Sequence, residues 1–315
     1  MVTPAPPAVA MIGLGRMGAN MLRRLARAGF PVIGYDASPA AEGALAGEAG
    51  VTVAATLAGA LAALRAPRAV WIMLPAGEIT EQTVREVAAL LSPGDVIIDG
   101  GNADYRDSVR RAAQLQARGL NFIDIGVSGG VWGLDNGYGL MFGGPDAAVK
   151  PLLPLFRALA PAPDRGWVHC GPSGSGHYTK MVHNGIEYGL MEAYAEGFAL
   201  LRAKSEFTLD VGAIAEAWRS GTVVRSWLLD LAAGALRQDA GLEHLAPVVA
   251  DSGEGRWTVR EGIDLGLPLP VITAALNVRF ASQGRGDYTS RILAQLRNAF
   301  GGHAVQKSGK APGSP

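Results

Sequence analysis

Hydrophobic and polar positions follow two regimes along the chain. From Val9 to about Cys170, short and mostly apolar runs alternate with stretches of helical period. Residues 9–12, 32–35, 70–74, 96–99 and 122–127 predict five buried strands, and a further strand is predicted to end at His169-Cys170. Residues 17–28 and 80–91 are amphipathic or Ala-rich over helical lengths and predict helices between the strands. Strands apolar on both faces, alternating with helices, predict a parallel sheet covered on both sides.

The run Gly171-Pro-Ser-Gly-Ser-Gly176 interrupts this pattern. Beyond it helical periodicity dominates from His177 to Phe300, with turns near Ala240-Gly241 and across residues 251–255. The expected organisation is an α/β chain. A doubly wound domain over residues 1–174 is followed by an all-helical domain over 175–305 and a flexible tail over 306–315. No internal repeat interrupts this plan.

The first strand runs into Gly13-Leu-Gly15-Arg-Met-Gly18, which opens a helix. The first glycine permits a tight turn, the second lets backbone approach a pyrophosphate, and the third lets helix and strand pack closely. The helix start supplies N–H groups and a partial positive charge for phosphates. This is a Rossmann-type dinucleotide signal. Asp36 ends the second strand, where a carboxylate accepts both adenine-ribose hydroxyls and repels a 2′-phosphate. No Arg or Lys follows in Asp36-Ala-Ser-Pro-Ala40, so NAD is expected, with NADP possible but less favoured. The expected cofactor contacts are Gly13, Leu14, Gly15, Arg16, Met17, Gly18, Asp36, Leu74 and Asn102.

Composition narrows the alternatives. At 49% hydrophobic and 18% charged, the 315 residues can bury a sizeable core, which excludes disorder for most of the length. The 28 basic and 28 acidic residues cancel, which argues against a nucleic-acid partner. Cys170 is the single cysteine, so neither an internal disulfide nor a Cys-rich metal site is expected. No HExxH motif or carboxylate cluster signals a metal. The start lacks the features of a signal peptide, and the longest mild apolar run, residues 51–64, falls short of a membrane span. A cytoplasmic protein with no membrane partner is expected.

Only five of the 28 basic residues are lysines: Lys150, Lys180, Lys204, Lys307 and Lys310. Lys180 sits on the helix beginning at His177, where Lys180, His183, Asn184 and Glu187 fall at i, i+3, i+4 and i+7 and share one face. Met181, Val182, Ile186 and Leu190 point elsewhere and are expected to bury. The polar stripe spans about 10 Å, enough to hold a small polyol acid. A solvated face would carry Arg in this chain, whereas Lys is the cation whose pKa burial lowers toward that of a working base. Gly185 and Gly189 leave room for another surface to approach. His177 is expected either to face the cofactor or to cap the helix start, while His244 is expected at the surface.

On these residues the chain resembles the decarboxylating 6-phosphogluconate dehydrogenase family, and in length its short bacterial form. The likeness is nearly chain-long. It runs through the glycine loop, Asp99-Gly-Gly-Asn-Ala-Asp-Tyr-Arg-Asp107, Gly126-Val-Ser-Gly-Gly130 and Lys180-Met-Val-His-Asn-Gly-Ile-Glu-Tyr-Gly189. It continues through Trp218-Arg-Ser-Gly-Thr-Val-Val-Arg-Ser226, Gly253-Glu-Gly-Arg-Trp-Thr258 and Arg297-Asn-Ala-Phe-Gly-Gly-His303.

The resemblance implies oxidation and decarboxylation of 6-phosphogluconate to ribulose 5-phosphate. Lys180 would act as base and Glu187 as acid. Asn102, Ser128, Gly129 and Gly130 would hold the carboxylate end and the C3 region. His183 and Asn184 would position the substrate, and Tyr188 and Arg279 would bind its phosphate. Arg297 and His303 would reach the site of a neighbouring subunit, which implies a homodimer or homotetramer. Arg279, Arg285, Arg291 and Arg297 against the lone acid Asp287 suit a phosphate independently of the likeness.

Longer relatives carry Lys and Thr where this chain has Ser252 and Glu254, so a contact is either lost or supplied by Arg256. The alternatives are a non-decarboxylating β-hydroxyacid dehydrogenase of the 3-hydroxyisobutyrate type and a catalytically silent NAD-binding regulator. The former would lack a Glu seven residues after the lysine and the terminal Arg/His pair. The latter is disfavoured by Lys180 and Glu187 on one face. Imine reductases share the architecture but usually lack the Lys–Asn pairing.

Overall fold

In a computed structural model, residues 6–43, 45, 47–301 and 304–306 are described. The chain forms two compact units that divide between His183 and Asn184.

The first unit begins β1 (Val9–Ile12), α1 (Arg16–Arg27), β2 (Val32–Tyr35), α2 (Pro39–Gly43), β3 (Val51–Val53) and α3 (Leu57–Ala62). It continues with β4 (Ala69–Ile72), α4 (Glu78–Leu90), β5 (Val96–Asp99), α5 (Tyr105–Gln116) and β6 (Asn121–Ser128). After α6 (Gly133–Asn136) come β7 (Gly139–Gly143), α7 (Asp146–Val149), α8 (Leu153–Leu159) and β8 (Trp167–Gly171). The eight strands among the described residues form one sheet in the order β3-β2-β1-β4-β5-β6-β7-β8.

The strands β1 to β6 run parallel, and the order reverses direction between β1 and β4. Such a switch point opens a crevice at the carboxyl ends of the two strands. The Gly13–Gly18 loop leaves β1 at that place, and Leu74 follows β4 there. Alternate residues divide between two cores: Val9, Met11, Trp71, Ile98 and Ile123 pack on one face, and Ala10, Ile12, Val70, Ile72 and Ile97 on the other. That is the signature of a sheet covered on both sides.

Two strands escape the hydrophobic pattern, and one corrects it. β3 is a three-residue edge strand that is only half-buried at Val51 and Val53. β7 is bounded by glycines and pairs antiparallel with β6, so the sheet is not wholly parallel. An antiparallel neighbour needs no long crossover, and residues 129–138 join β6 to β7 with only short helical turns.

A buried ion network ties α4, α5 and β5 together. Arg111 donates from Nε to Glu81 at 2.9 Å and from Nη1 to Asp99 at 2.8 Å, and its side chain is 2% exposed. Arg110 reaches Glu81 at 2.7 Å. The hydrogen bond from Arg110, aided by Arg111, holds the Glu81 carboxyl down at about 2 from its usual 4.5. The sign follows from linkage: a depressed carboxylate stabilises the fold above its unfolded pKa and loses that contribution as pH falls through the folded value. The wild type is therefore expected to lose roughly 2 kcal/mol between about pH 4.5 and 2 from this group, allowing for screening around half-exposed Arg110. Denaturant melts of wild type and Glu81→Gln across that range check it; parallel pH profiles would refute it.

α9 (Ser175–Ala203) spans the division and continues into the second unit. There follow α10 (Val211–Trp218), α11 (Trp227–Gln238), α12 (Glu254–Asp264), α13 (Pro270–Ser282) and α14 (Asp287–Gly301). Asp210 and Ser226 cap α10 and α11 by accepting the N–H of Ala213 at 2.9 Å and of Leu229 at 3.1 Å. Ala215, Leu229 and Ala233 form one small core with Tyr194, Phe198 and Trp218 packed against it. Tyr188, Ala275 and Leu276 form another.

The expectations for the helical part need three corrections. α9 starts at Ser175, before His177, and the predicted 251–255 turn ends at Gly253, the residue before α12 begins. Met181 is buried, but Ile186 and Leu190 are 54% and 46% exposed. The reason is which face is covered: Thr258 of α12 packs 2.7 Å from where a Gly185 Cβ would lie, and Val271 of α13 packs 3.2 Å from that of Gly189. Ile186 and Leu190 lie off that face. Among the described residues no helix is long and apolar enough to cross a membrane.

Candidate active site

The glycine loop is built for an anion. Gly13 has φ +97°, and a Cβ there would meet the Met73 carbonyl oxygen at 2.5 Å and Leu74 Cδ2 at 2.8 Å. A Cβ on Gly18 would overlap the Gly13 carbonyl. Gly15 differs, because nothing lies within 4 Å of its Cβ position. No packing demand explains that glycine, and it leaves open space before α1. No side chain caps α1 and its first turn holds no acid, so its N–H groups are available to a phosphate. Leu14 is buried, Met17 and Leu74 are half-buried, and Arg16 is exposed. These residues fit a dinucleotide.

Asp36 accepts the Leu14 N–H at 2.6 Å and the Ser38 N–H at 2.8 Å, one on each oxygen. A carboxylate has about four lone-pair sites, so it retains capacity for two ribose hydroxyls. Asn102 is exposed on the loop after β5. That loop is held at its root by Asp99, whose Oδ1 accepts the Gly101 N–H at 3.3 Å while Oδ2 receives Arg111.

Lys180 is 6% exposed. The other described lysines, Lys150 and Lys204, are exposed and paired with Asp146 at 2.8 Å and Glu206 at 2.6 Å. Lys307 and Lys310 lie outside the described residues. The Lys180 Nζ lies 3.5 Å from His183 Nδ1, and His183 Nε2 lies 3.5 Å from Ser128 Oγ. One imidazole thus bridges the lysine and the end of β6. Gly129 and Gly130 follow Ser128 with φ +130° and +53°. Arg24 of α1 secures the next segment by donating to the carbonyls of Leu134 at 3.0 Å and Asp135 at 3.3 Å.

In the second unit Asn184 and Tyr188 are buried and Glu187 is half-buried. The Arg279 guanidinium stacks 3.5 Å from the Tyr188 ring centroid and donates to the Ala250 carbonyl at 2.8 Å. Tyr188 Oη lies 3.3 Å from Ser252 Oγ, which donates to Glu254 at 2.6 Å. Ser252 and Glu254 therefore join the Tyr188 cluster. Arg256 is paired with Asp251 and lies over Phe280 at 4.4 Å. Arg297 is exposed on α14, and His303 lies outside the described residues.

Three further histidines lie among the described residues. The His177 ring is buried, with Nδ1 2.7 Å from Ser108 Oγ. His169 Nε2 contacts the Gly144 carbonyl at 2.8 Å, and exposed His244 pairs with Asp239 at 2.7 Å. Among the described residues no three metal-type ligands cluster. Sequence reasoning passed over Arg111, Arg24 and Asp124. Asp124 carried a readable signal, since a carboxylate inside an apolar strand must find buried partners.

Two family models match. The NAD-binding domain of 6-phosphogluconate dehydrogenase covers residues 8–171, and the C-terminal domain of 6-phosphogluconate dehydrogenase covers 176–310. The chain is 41% identical over 298 residues to an NAD(+)-dependent, decarboxylating 6-phosphogluconate dehydrogenase of Haloferax volcanii, covering 94% of this chain and 98% of that one. A Plasmodium falciparum 6-phosphogluconate dehydrogenase, solved alone and with NADP+ or its substrate, matches at TM-score 0.81 and 25% identity, over 96% of this chain and 67% of that one. A 3-hydroxyisobutyrate dehydrogenase of Salmonella typhimurium matches at TM-score 0.72 and 25% identity, over 89% and 95%.

Proposed function

Because the chain belongs to the 6-phosphogluconate dehydrogenase family, we propose that it oxidises and decarboxylates 6-phosphogluconate to ribulose 5-phosphate, reducing NAD in preference to NADP. The observation that carries the reading is the burial of Lys180. Alone among the described lysines it is withdrawn from water, beside His183 and the Ser128 end of β6.

Gly13 to Gly18, Asp36, Leu74 and Asn102 would hold the dinucleotide, whose nicotinamide, when bound, accepts the hydride from substrate C3. Lys180 Nζ takes the C3 hydroxyl proton as that hydride departs. The resulting 3-keto acid loses CO2, and its C1–C2 electrons pass to the C3 oxygen, where protonated Lys180 donates a hydrogen bond. Glu187 then delivers a proton to the former C2 of the enediol, which becomes C1 of ribulose 5-phosphate. Base and acid lie seven residues apart on one helix, about 10 Å along its axis, and a rigid element keeps such groups in place.

Asn102, Ser128, Gly129 and Gly130 hold the carboxylate end and the C3 region, and His183 and Asn184 position the substrate, the latter near the C3 hydroxyl. Tyr188 and Arg279 receive the phosphate, a role suited to a guanidinium already ordered against the Tyr188 ring. Arg297 and His303 belong, in this reading, to a second copy's site in a homodimer or homotetramer. The functional boundary is placed after residue 174, with residues 175–305 as the substrate and assembly domain in a cytoplasmic enzyme.

The test is a steady-state assay with 6-phosphogluconate, unphosphorylated gluconate and 3-hydroxyisobutyrate, each with NAD and NADP. Turnover is expected with 6-phosphogluconate; its absence with either nucleotide, or a preference for 3-hydroxyisobutyrate, sinks the reading. In the same assay Asp36→Ala is expected to lower the ratio of kcat/KM for NAD over NADP at least tenfold. An unchanged ratio removes Asp36 from cofactor selection.

A further inference from the structure

Strand β6 presents Asp124, Gly126 and Ser128 at two-residue steps, so their side-chain positions share one face. Each meets a different part of the first turns of α9. The Asp124 carboxylate accepts the Gly174 N–H at 2.5 Å on Oδ1 and the His177 N–H at 2.8 Å on Oδ2. A Cβ on Gly126 would overlap Lys180 Cβ and lie 2.7 Å from its Cγ, so the lysine stem runs directly against the strand. Ser128 Oγ faces His183 Nε2 at 3.5 Å.

We infer that Asp124 is a positioning residue: by bridging the N–H groups at the start of α9, it sets where Lys180 stands along β6 and how its amine reaches the Ser128–Gly130 loop. The inference rests on the function proposed above.

The first N–H groups of a helix have no intrahelical acceptor, and an anion there also complements the helix dipole. Asp124 supplies both from a neighbouring strand. Its side chain is fully buried. Burial pushes its carboxyl up, while His177 and the Gly174 and His177 N–H groups act in the opposite direction. Ser108 adds a second tether from α5 through His177 Nδ1 at 2.7 Å. A slip of one residue would move Lys180 about 1.5 Å along the helix and turn it by about 100°, off the only β6 position without a Cβ to obstruct it. Displacements of about 1 Å suffice to cost a hundredfold in rate.

Asp124→Asn keeps the shape but turns an NH2 toward one of the two N–H donors. It is expected to lower kcat at least tenfold, with KM for 6-phosphogluconate and Kd for NAD within threefold of wild type. The primary isotope effect with C3-deuterated substrate should rise as hydride transfer becomes limiting. Amide exchange across residues 174–183 should quicken at least tenfold, with β1 to β5 unchanged. Unchanged kcat per active site and an unchanged isotope effect, with only a lowered Tm, would overturn the inference.

Gly126→Ala serves if Asp124→Asn does not fold. It leaves the clamp intact but displaces the Lys180 stem, so kcat should fall and the isotope effect rise while exchange at the helix start stays wild-type. Full activity in that variant would overturn the inference equally. Loss of the proposed function itself is separable: it would show as absent turnover in the wild type. The exchange experiment needs no substrate and still decides whether Asp124 clamps α9.

Discussion

Lys180→Met is expected to lower kcat for 6-phosphogluconate oxidation on the order of a thousandfold or more while leaving NAD affinity unchanged. Proton transfer by a positioned base contributes about 10²- to 10⁴-fold. Lys180 is assigned two uses, as base at the C3 hydroxyl and as donor to the same oxygen during decarboxylation, so the upper part of that range applies. Methionine matches the stem lying on Gly126, and an apolar group of similar volume at a buried position carries none of the amine's desolvation cost. A Tm at or above wild type with lost turnover is the expected pairing. Glu187→Gln supplies the contrast: about a hundredfold loss in kcat with KM nearly unchanged, because the group acts after hydride departure. Wild-type kcat in the Lys180 variant would remove the base from the mechanism.

Arg111→Met is expected to have the largest effect on stability. Arg111 bridges Glu81 and Asp99 from a 2% exposed position. Glu81 keeps Arg110 at 2.7 Å, but among the described residues Asp99, fully buried, keeps only the Gly101 N–H. Removing one partner of a buried pair costs about 3–5 kcal/mol, because the remaining charge is uncompensated. Set against a typical total of about 5–15 kcal/mol, that is a large fraction. The denaturant midpoint should fall sharply, and adding Asp99→Asn should recover part of the loss. Because Asp99 roots the Asn102 loop, the folded fraction of the variant should also bind NAD more weakly. A midpoint near wild type would show that the network is dispensable.

The parts of the molecule legible in the sequence are those whose causes are local. The glycine loop was readable because three glycines, a strand before them and a helix after them suffice to state its chemistry. The apolar runs at β1, β2, β4, β5 and β6 stood out because both faces of those strands are buried. β3 did not, since three half-buried edge residues carry no pattern, and the antiparallel direction of β7 depends on its connection. Periodicity marked Ile186 and Leu190 as apolar but could not say which face of α9 the second unit's helices cover.

The site divides in the same way. The Lys180 stripe could be read from helical spacing and from the scarcity of lysine. What holds Lys180 in place could not, because Asp124 and Gly126 lie more than 50 residues earlier and only the sheet brings them alongside. Arg111, Glu81 and Asp99 likewise meet through three different elements.

The central claim is that one active site couples oxidation at C3 to loss of C1. The most direct test is the stoichiometry of products from 6-phosphogluconate labelled with ¹³C at C1. The purified protein with NAD is expected to release labelled CO2 and form NADH in equal amounts, with ribulose 5-phosphate as the remaining product. NADH formed without labelled CO2, or no NADH at all, would contradict it.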